Sequence, residues 1–231
     1  MYDADKEFDR LSELLDETRD FLFHQEFDFN DLANRTIKIL NTVDFTSNLV
    51  SYLKKDTDFF SAPASTRFHS SFLGGLNLHS LSVMVRFIEK CLSPSMWNSG
   101  FSGFTYNNIV IASLMHDLCK ANFYVEVKKW RKDERGKWES YSGWDVDDKY
   151  PYGHGEKSVM ILNKFYESNP VVDIAIRWHM GPFTTNNPYD FTNACNAHPM
   201  VTLLHTADME STYIYEVKSF KLNGSNPTVY N

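Results

Sequence analysis

The chain has 231 residues, 42% of them hydrophobic and 15% aromatic, which supports one substantial core and excludes a disordered chain. Its formal net charge of -7 argues against a protein built mainly to grip a phosphate backbone and favours a small anionic substrate drawn into a locally positive pocket. Cys91, Cys119 and Cys195 are widely spaced and odd in number, so neither a disulfide framework nor a CxxC zinc site is expected.

The opening stretch, MYDADKEFDRL, is acidic and has no basic segment leading into an apolar one. No apolar run reaches membrane-spanning length, so the expectation is a cytoplasmic chain with no membrane partner. Phe8, Leu11, Leu15 and Leu22 then recur at helical spacing and predict a first helix. Further helices are expected over about 30–41 and 45–56, in the role of N-terminal helices (1–58) packing on the core. Residues 61–77, rich in Pro, Ser and Gly, read as a loop. After Gly74-Gly75, Leu78, Leu81, Val85 and Ile88 form an apolar stripe with His79 beside it. A break at PSMWNSGFSG precedes a helix running from Ile109 to His116-Asp117, with Asn107 or Asn108 as its expected cap.

Residues 123–149 change character. Two β-prone runs flank a charged, Gly-containing turn at 134–137, which predicts a β-hairpin with Trp130 and Trp138 paired across it. The hairpin reads as an insertion into a helical chain. Helical patterning returns after Gly153, again in PVVDIAIRW before Gly181-Pro182, and last in a long helix with Pro199 near its start. The tail, 223–231, is turn-rich.

The chemistry-bearing residues sit at helix ends or beside small residues. His79 follows a double glycine, and His116-Asp117 ends an apolar helix. His154 lies between glycines, His179 precedes Gly-Pro, and Asp208 stands one helical turn after His205. Four histidines and two aspartates exceed what one tetrahedral zinc needs. They suit two first-row ions sharing a carboxylate, for which Asp117 is the natural bridge.

In that order the segments GGLNLHSLSV, LMHDLCK, GHGEKSV, IRWHMG and LLHTADMES resemble the HD superfamily of metal-dependent phosphohydrolases, over about 60–215. The stretch PASTRFHSSFLGGL adds a likeness to the HD domain of bacterial three-prime-to-five-prime exoribonucleases. The resemblance implies an all-α fold: an HD-domain helical bundle over 59–222 carrying the small β-hairpin insertion. It implies that His79, His116, Asp117 and Asp208 hold one metal, that His154 and His179 add a second, and that Lys120 lies near the phosphate. The ions would be divalent transition metals: manganese, iron, cobalt, nickel or zinc. The expected reaction is hydrolysis of a phosphate ester of a nucleotide or a similar small substrate by a metal-bridging hydroxide, with Asp117 and Lys120 as the catalytic residues. Arg67, His69, Lys157 and His205 are candidate substrate contacts, with His205 favoured as a support for a ligand. Trp178, Tyr152 and Phe183 could stack on a base. The competing expectations are an exonuclease on single-stranded nucleic acid, an HD-fold diiron oxygenase, and a non-catalytic nucleotide sensor. The aromatic hairpin is also a surface through which a dimer could form.

Overall fold

The computed structural model describes residues 3–24, 28–98, 104–184 and 187–216. The described chain is mostly helical with one two-stranded hairpin, as expected. It opens with α1 (Ala4–His24), α2 (Phe29–Leu40) and α3 (Ser47–Lys55). Helix α1 buries Leu11, Leu14, Leu15 and Leu22, one face of a 3.6-residue repeat. Helix α2 is closed at its start by a reciprocal pair of bonds. The Asp28 carboxylate accepts from the Asn30 and Asp31 N–H groups, and Asp31 accepts from the Asp28 N–H. Its buried Thr36 hydroxyl donates to Asn77 Oδ1 at 2.7 Å, which ties α2 to the helix that carries His79.

That helix, α4 (Gly75–Cys91), starts earlier than the loop pattern suggested. Gly74 takes a left-handed φ of 82° as its cap, and the Leu76 N–H finds the Ala62 carbonyl at 2.9 Å, so the first turn is already satisfied. A Cβ on Gly75 would lie 1.9 Å from the Ser70 carbonyl oxygen, so only glycine lets the loop lie this close to the helix.

After the short α5 (Pro94–Trp97) comes α6 (Tyr106–Met115), buried at Tyr106 and throughout from Ile109 to Met115. Its cap is Thr105, not Asn107 or Asn108. Thr105 has the extended backbone that the position requires, and its hydroxyl accepts from the Asn108 N–H at 3.2 Å. Asn107 already lies in the first turn, where its amide donates to Asp44. Helices α4 and α6 pack on each other and form the centre of the core.

Around them stand α7 (His154–Leu162), α8 (Pro170–Trp178) and α10 (Pro199–Glu210). Helix α8 packs on α6, α7 and α10, and α10 also packs on α4. Helix α1 packs on both central helices. Helix α9 (Pro188–Ala197) was not anticipated, since PYDFTNACNA carries no apolar stripe. It rests on Pro188 at its first position and on an Asn187 side chain that caps the Tyr189 N–H. Helix α10 continues through a π-type turn, Ser211–Tyr215, to Glu216. The turn-rich tail lies outside the described residues.

The hairpin pairs β1 (Tyr124–Lys132) with β2 (Trp138–Val146) in antiparallel register. Its loop, 133–137, is held by Asp133, whose carboxylate accepts from the N–H groups of Arg135 and Lys137. Gly136 supplies the positive φ, 75°, that this connection needs. The resulting register sets Trp130 opposite Ser140 and Trp138 opposite Lys132, so the two tryptophans are diagonal neighbours and not the expected direct pair. Among the described residues, no helix is long and apolar enough to cross a membrane.

The close approach at Gly75 generates a stability prediction. Gly75→Ala should cost about 1–3 kcal/mol through overpacking against the Ser70 peptide, read as a lowered urea midpoint at unchanged slope.

Candidate metal centre

Six helix ends and faces deliver their polar side chains to one interior. His79 comes from the second turn of α4, and His116 caps the C-terminus of α6. The backbone leaves helical geometry at Asp117 (φ -103°, ψ 21°) and enters a short 3-10 turn, Leu118–Lys120. His154 is the first residue of α7, His179 caps the C-terminus of α8, and Asp208 lies in α10.

Three of the imidazoles are fixed in the same way. Nδ1 of His116 donates to the Ser113 carbonyl at 2.7 Å, and Nδ1 of His179 donates to the Ile176 carbonyl at 2.6 Å. Nδ1 of His79 donates to Glu216 Oε1 at 2.6 Å. Spending the Nδ1 proton outward leaves Nε2 of each ring facing the interior, the arrangement in which an imidazole ligates a metal. The Nε2 atoms of His79 and His116 approach to 3.2 Å. Two lone pairs that close need a cation between them, either a proton or a metal.

Asp117 faces both sides of the cluster. Its Oδ2 lies 2.6 Å from Lys120 Nζ, 3.4 Å from His116 Nε2 and 3.5 Å from His79 Nε2. Its Oδ1 lies 2.7 Å from His154 Nε2 and 3.4 Å from His179 Nε2. Asp208 Oδ1 stands 3.1 Å from His79 Nε2. Nε2 of His179 is buried and has no hydrogen-bond partner, which an imidazole seldom tolerates unless something else occupies its lone pair.

The electrostatics are those of a buried cluster short of positive charge. Asp117, Asp208 and Glu216 converge, against one ammonium, Lys120. Burial would raise the Asp117 carboxyl, but Lys120 and His116 hold it well below the usual carboxylate range. Asp208 is opposed by burial and lowered by His79, and Glu216 behaves in the same way. Burial pulls His79 down, yet Glu216 and Asp208 outweigh it and push the ring up to about 10. In the absence of a metal, His79 therefore carries the missing positive charge. His154 is moved the other way, because burial outweighs Asp117.

Glycine packing and a carbonyl contact align the second pair of histidines. A Cβ on Gly155 would lie 2.3 Å from the Arg177 carbonyl oxygen, so α7 meets the end of α8 only through glycine. That contact places the rings of His154 and His179 with centroids 5.4 Å apart. Nδ1 of His205 donates to the His179 carbonyl at 2.6 Å, so His205 supports a candidate ligand's backbone and does not itself enter the cluster.

The other expected contacts divide. His69 lies beside His79, ring centroids 4.8 Å apart, and both its ring nitrogens are buried without a partner. Burial and His79 lower it to about 4, so it is neutral. Arg67 is exposed and lies over the Phe68 ring, while Lys157 bonds Asp148 at 2.6 Å; neither contacts the cluster. Trp178 packs against Phe191 under the Arg177 guanidinium, and Tyr152 and Phe183 are exposed.

Sequence reading missed two members. Glu216 holds His79 and accepts from the Ser70 hydroxyl. It stands eight residues after Asp208 in the same expected final helix, a spacing that keeps both on one face, so following that face two turns beyond Asp208 would have found it. Cys119 groups with Asp117 and His154, its thiol pushed up to about 12 by burial and the Asp117 charge. Nothing in the sequence distinguishes it from a core cysteine.

The donor chemistry fits divalent transition metals. His79, His116 and Asp208 present ligand atoms within 4.8 Å of one another, and so do His116, Asp117 and His179. Loading with Mn²⁺ followed by elemental analysis should find bound metal, reduced in His154→Ala and lost in Asp117→Asn. Gly155→Ala should resemble His154→Ala, since it displaces the same helix. No protein-family model, curated protein or solved structure matches the chain, so the candidate site rests on its own geometry and donor chemistry.

Proposed function

We propose that the chain is a metal-dependent phosphohydrolase of the HD type, acting on a phosphate ester of a nucleotide or similar small molecule. The observation that supports this most is Asp117: one buried carboxylate with each oxygen turned to a different pair of histidines and Lys120 at its side. His79, His116, Asp117 and Asp208 would hold one ion, and Asp117, His154 and His179 a second. When bound, the pair supplies Lewis acidity toward phosphoryl oxygens and an activated water.

The chain's own residues do the rest. Lys120 stays charged: burial opposes the charge, but Asp117 raises the ammonium above its ordinary value. A fixed positive charge there offsets negative charge that develops on phosphoryl oxygens as the bond to phosphorus forms. The Tyr124 phenol, pushed up to about 12 by burial, keeps its proton beside Lys120 and donates it to the Ala64 carbonyl at 3.3 Å. His69, neutral and with free ring nitrogens, can donate to the ester or leaving-group oxygen. Glu216 holds His79 and His205 holds the His179 peptide, so both act by orientation.

The test is a substrate panel with the Mn²⁺-loaded protein: nucleoside mono- and triphosphates, cyclic dinucleotides and short single-stranded oligonucleotides, with products resolved by chromatography. Turnover of a nucleotide, abolished in Asp117→Ala, is the expected result. Lys120→Ala should lower kcat about 10²–10³-fold while retaining metal. A silent panel, with iron in the protein as isolated and oxygen consumption on reduction, would replace this reading with an oxygenase.

A further inference from the structure

We infer that one face of the hairpin is a binding surface for single-stranded nucleic acid. The observation is an alternation of exposed indoles and free ammonium groups. Lys128, Trp130 and Lys132 are alternate residues of β1, so their side chains share a face. Their partners across the ladder are Ser142, Ser140 and Trp138, which places Trp138 diagonally from Trp130 on that same face. Trp130 is 58% exposed and Trp138 60%, a large apolar area to leave in water.

The ammonium of Lys128 lies 5.1 Å from the Trp130 ring centre, and that of Lys132 lies 5.5 Å from the Trp138 ring centre. Neither lysine makes an ion pair among the described residues. On the opposite face the charges are spent: Arg131 pairs with Glu139 at 2.6 Å, and Lys129 bonds the Trp144 carbonyl. The one acid on the aromatic face, Glu126, lies toward the hairpin base, where it accepts from the Ser142 hydroxyl.

This is the chemistry that holds a single strand without reading its sequence. Bases stack on the indoles, and phosphates meet the lysines alongside them. A second copy of the chain is a poorer occupant, because two-fold pairing of this face would set Lys128 and Lys132 against their own counterparts. The overall charge of -7 repels a polyanion at long range, but salt screens that repulsion beyond about 10 Å and the two lysines act at contact.

The placement of the hairpin gives the surface a use. β1 begins four residues after Lys120, and β2 ends eight residues before His154, so both feet stand at the candidate metal centre. Trp130 lies about 20 Å along the ribbon from Tyr124. A strand lying on this face would run toward the cluster, but the binding itself does not depend on the hydrolase reading.

The experiment is therefore done with metal chelated, so that binding is read without turnover. Fluorescein-labelled oligothymidylate and oligouridylate of fifteen nucleotides are titrated with the full chain, and anisotropy is followed across a salt series. Binding of either probe, weakened about tenfold or more in Trp130→Ala/Trp138→Ala, is the expected result. Lys128→Gln/Lys132→Gln should reduce the salt slope by about 1.4, the value for two lost phosphate contacts on a single strand. Both pairs are exposed, so unchanged thermal melting is the folding control. Absence of binding in the wild type, or equal binding by the tryptophan variant, would overturn the inference. So would a wild-type dimer in sedimentation that becomes monomeric in the tryptophan variant, because the face would then be an interface between copies.

Discussion

A carboxylate taken out of water is the constraint around which the rest of this structure is arranged. Asp117 is 1% exposed, and an unpaired charge so placed would cost several kcal/mol. It is retained because Lys120 and four imidazoles converge on its two oxygens. Each partner comes from a different stretch of the fold, so α4, α6, α7 and α8 must all end or pass where they do. Asp208 and Glu216 add further negative charge, which a proton on His79 or a bound cation would offset.

The framework that holds this arrangement is built from close backbone approaches. Gly155 lets α7 meet the carbonyl end of α8, and Gly75 lets the loop carrying His69 and Ser70 lie on α4. Gly181, at a φ of 72°, turns the chain under the His205 ring, whose Nδ1 in turn holds His179. Each glycine sits one residue or one short turn from a polar member of the cluster. Backbone packing and ligand placement are thus the same property here.

The hairpin follows a different logic. The central helices α4 and α6 bury their apolar residues, whereas β1 and β2 leave two tryptophans and two uncompensated lysines in solvent. Two strands bury little between them, so the exposed indoles do not serve the stability of the core. Their cost is intelligible as the readiness of a surface to receive a ligand.

Much of this was legible in the sequence, and the legible part is local. Apolar spacing defines α1, α4 and α8, Gly-Pro punctuation ends α8, and a charged glycine turn between β-prone runs announces the hairpin. The histidines and aspartates were visible as residue types at helix ends. Local pattern could not show that Asp117 divides its oxygens between two histidine pairs, that Glu216 returns to hold His79, or that His69 keeps both ring nitrogens free. It also misplaced the α6 cap and the tryptophan register, because caps depend on a backbone angle and registers on loop geometry. Ring tautomers, carboxylate orientation and unpartnered nitrogens are settled by groups more than a hundred residues apart in some cases, as with His79 and Glu216. Composition and periodicity determined that this chain would be a helical protein with histidines and aspartates at its helix ends. Only the packing of those ends against one another decided which atoms face which, since distance between side chains is a property of the fold and not of the spacing along the chain.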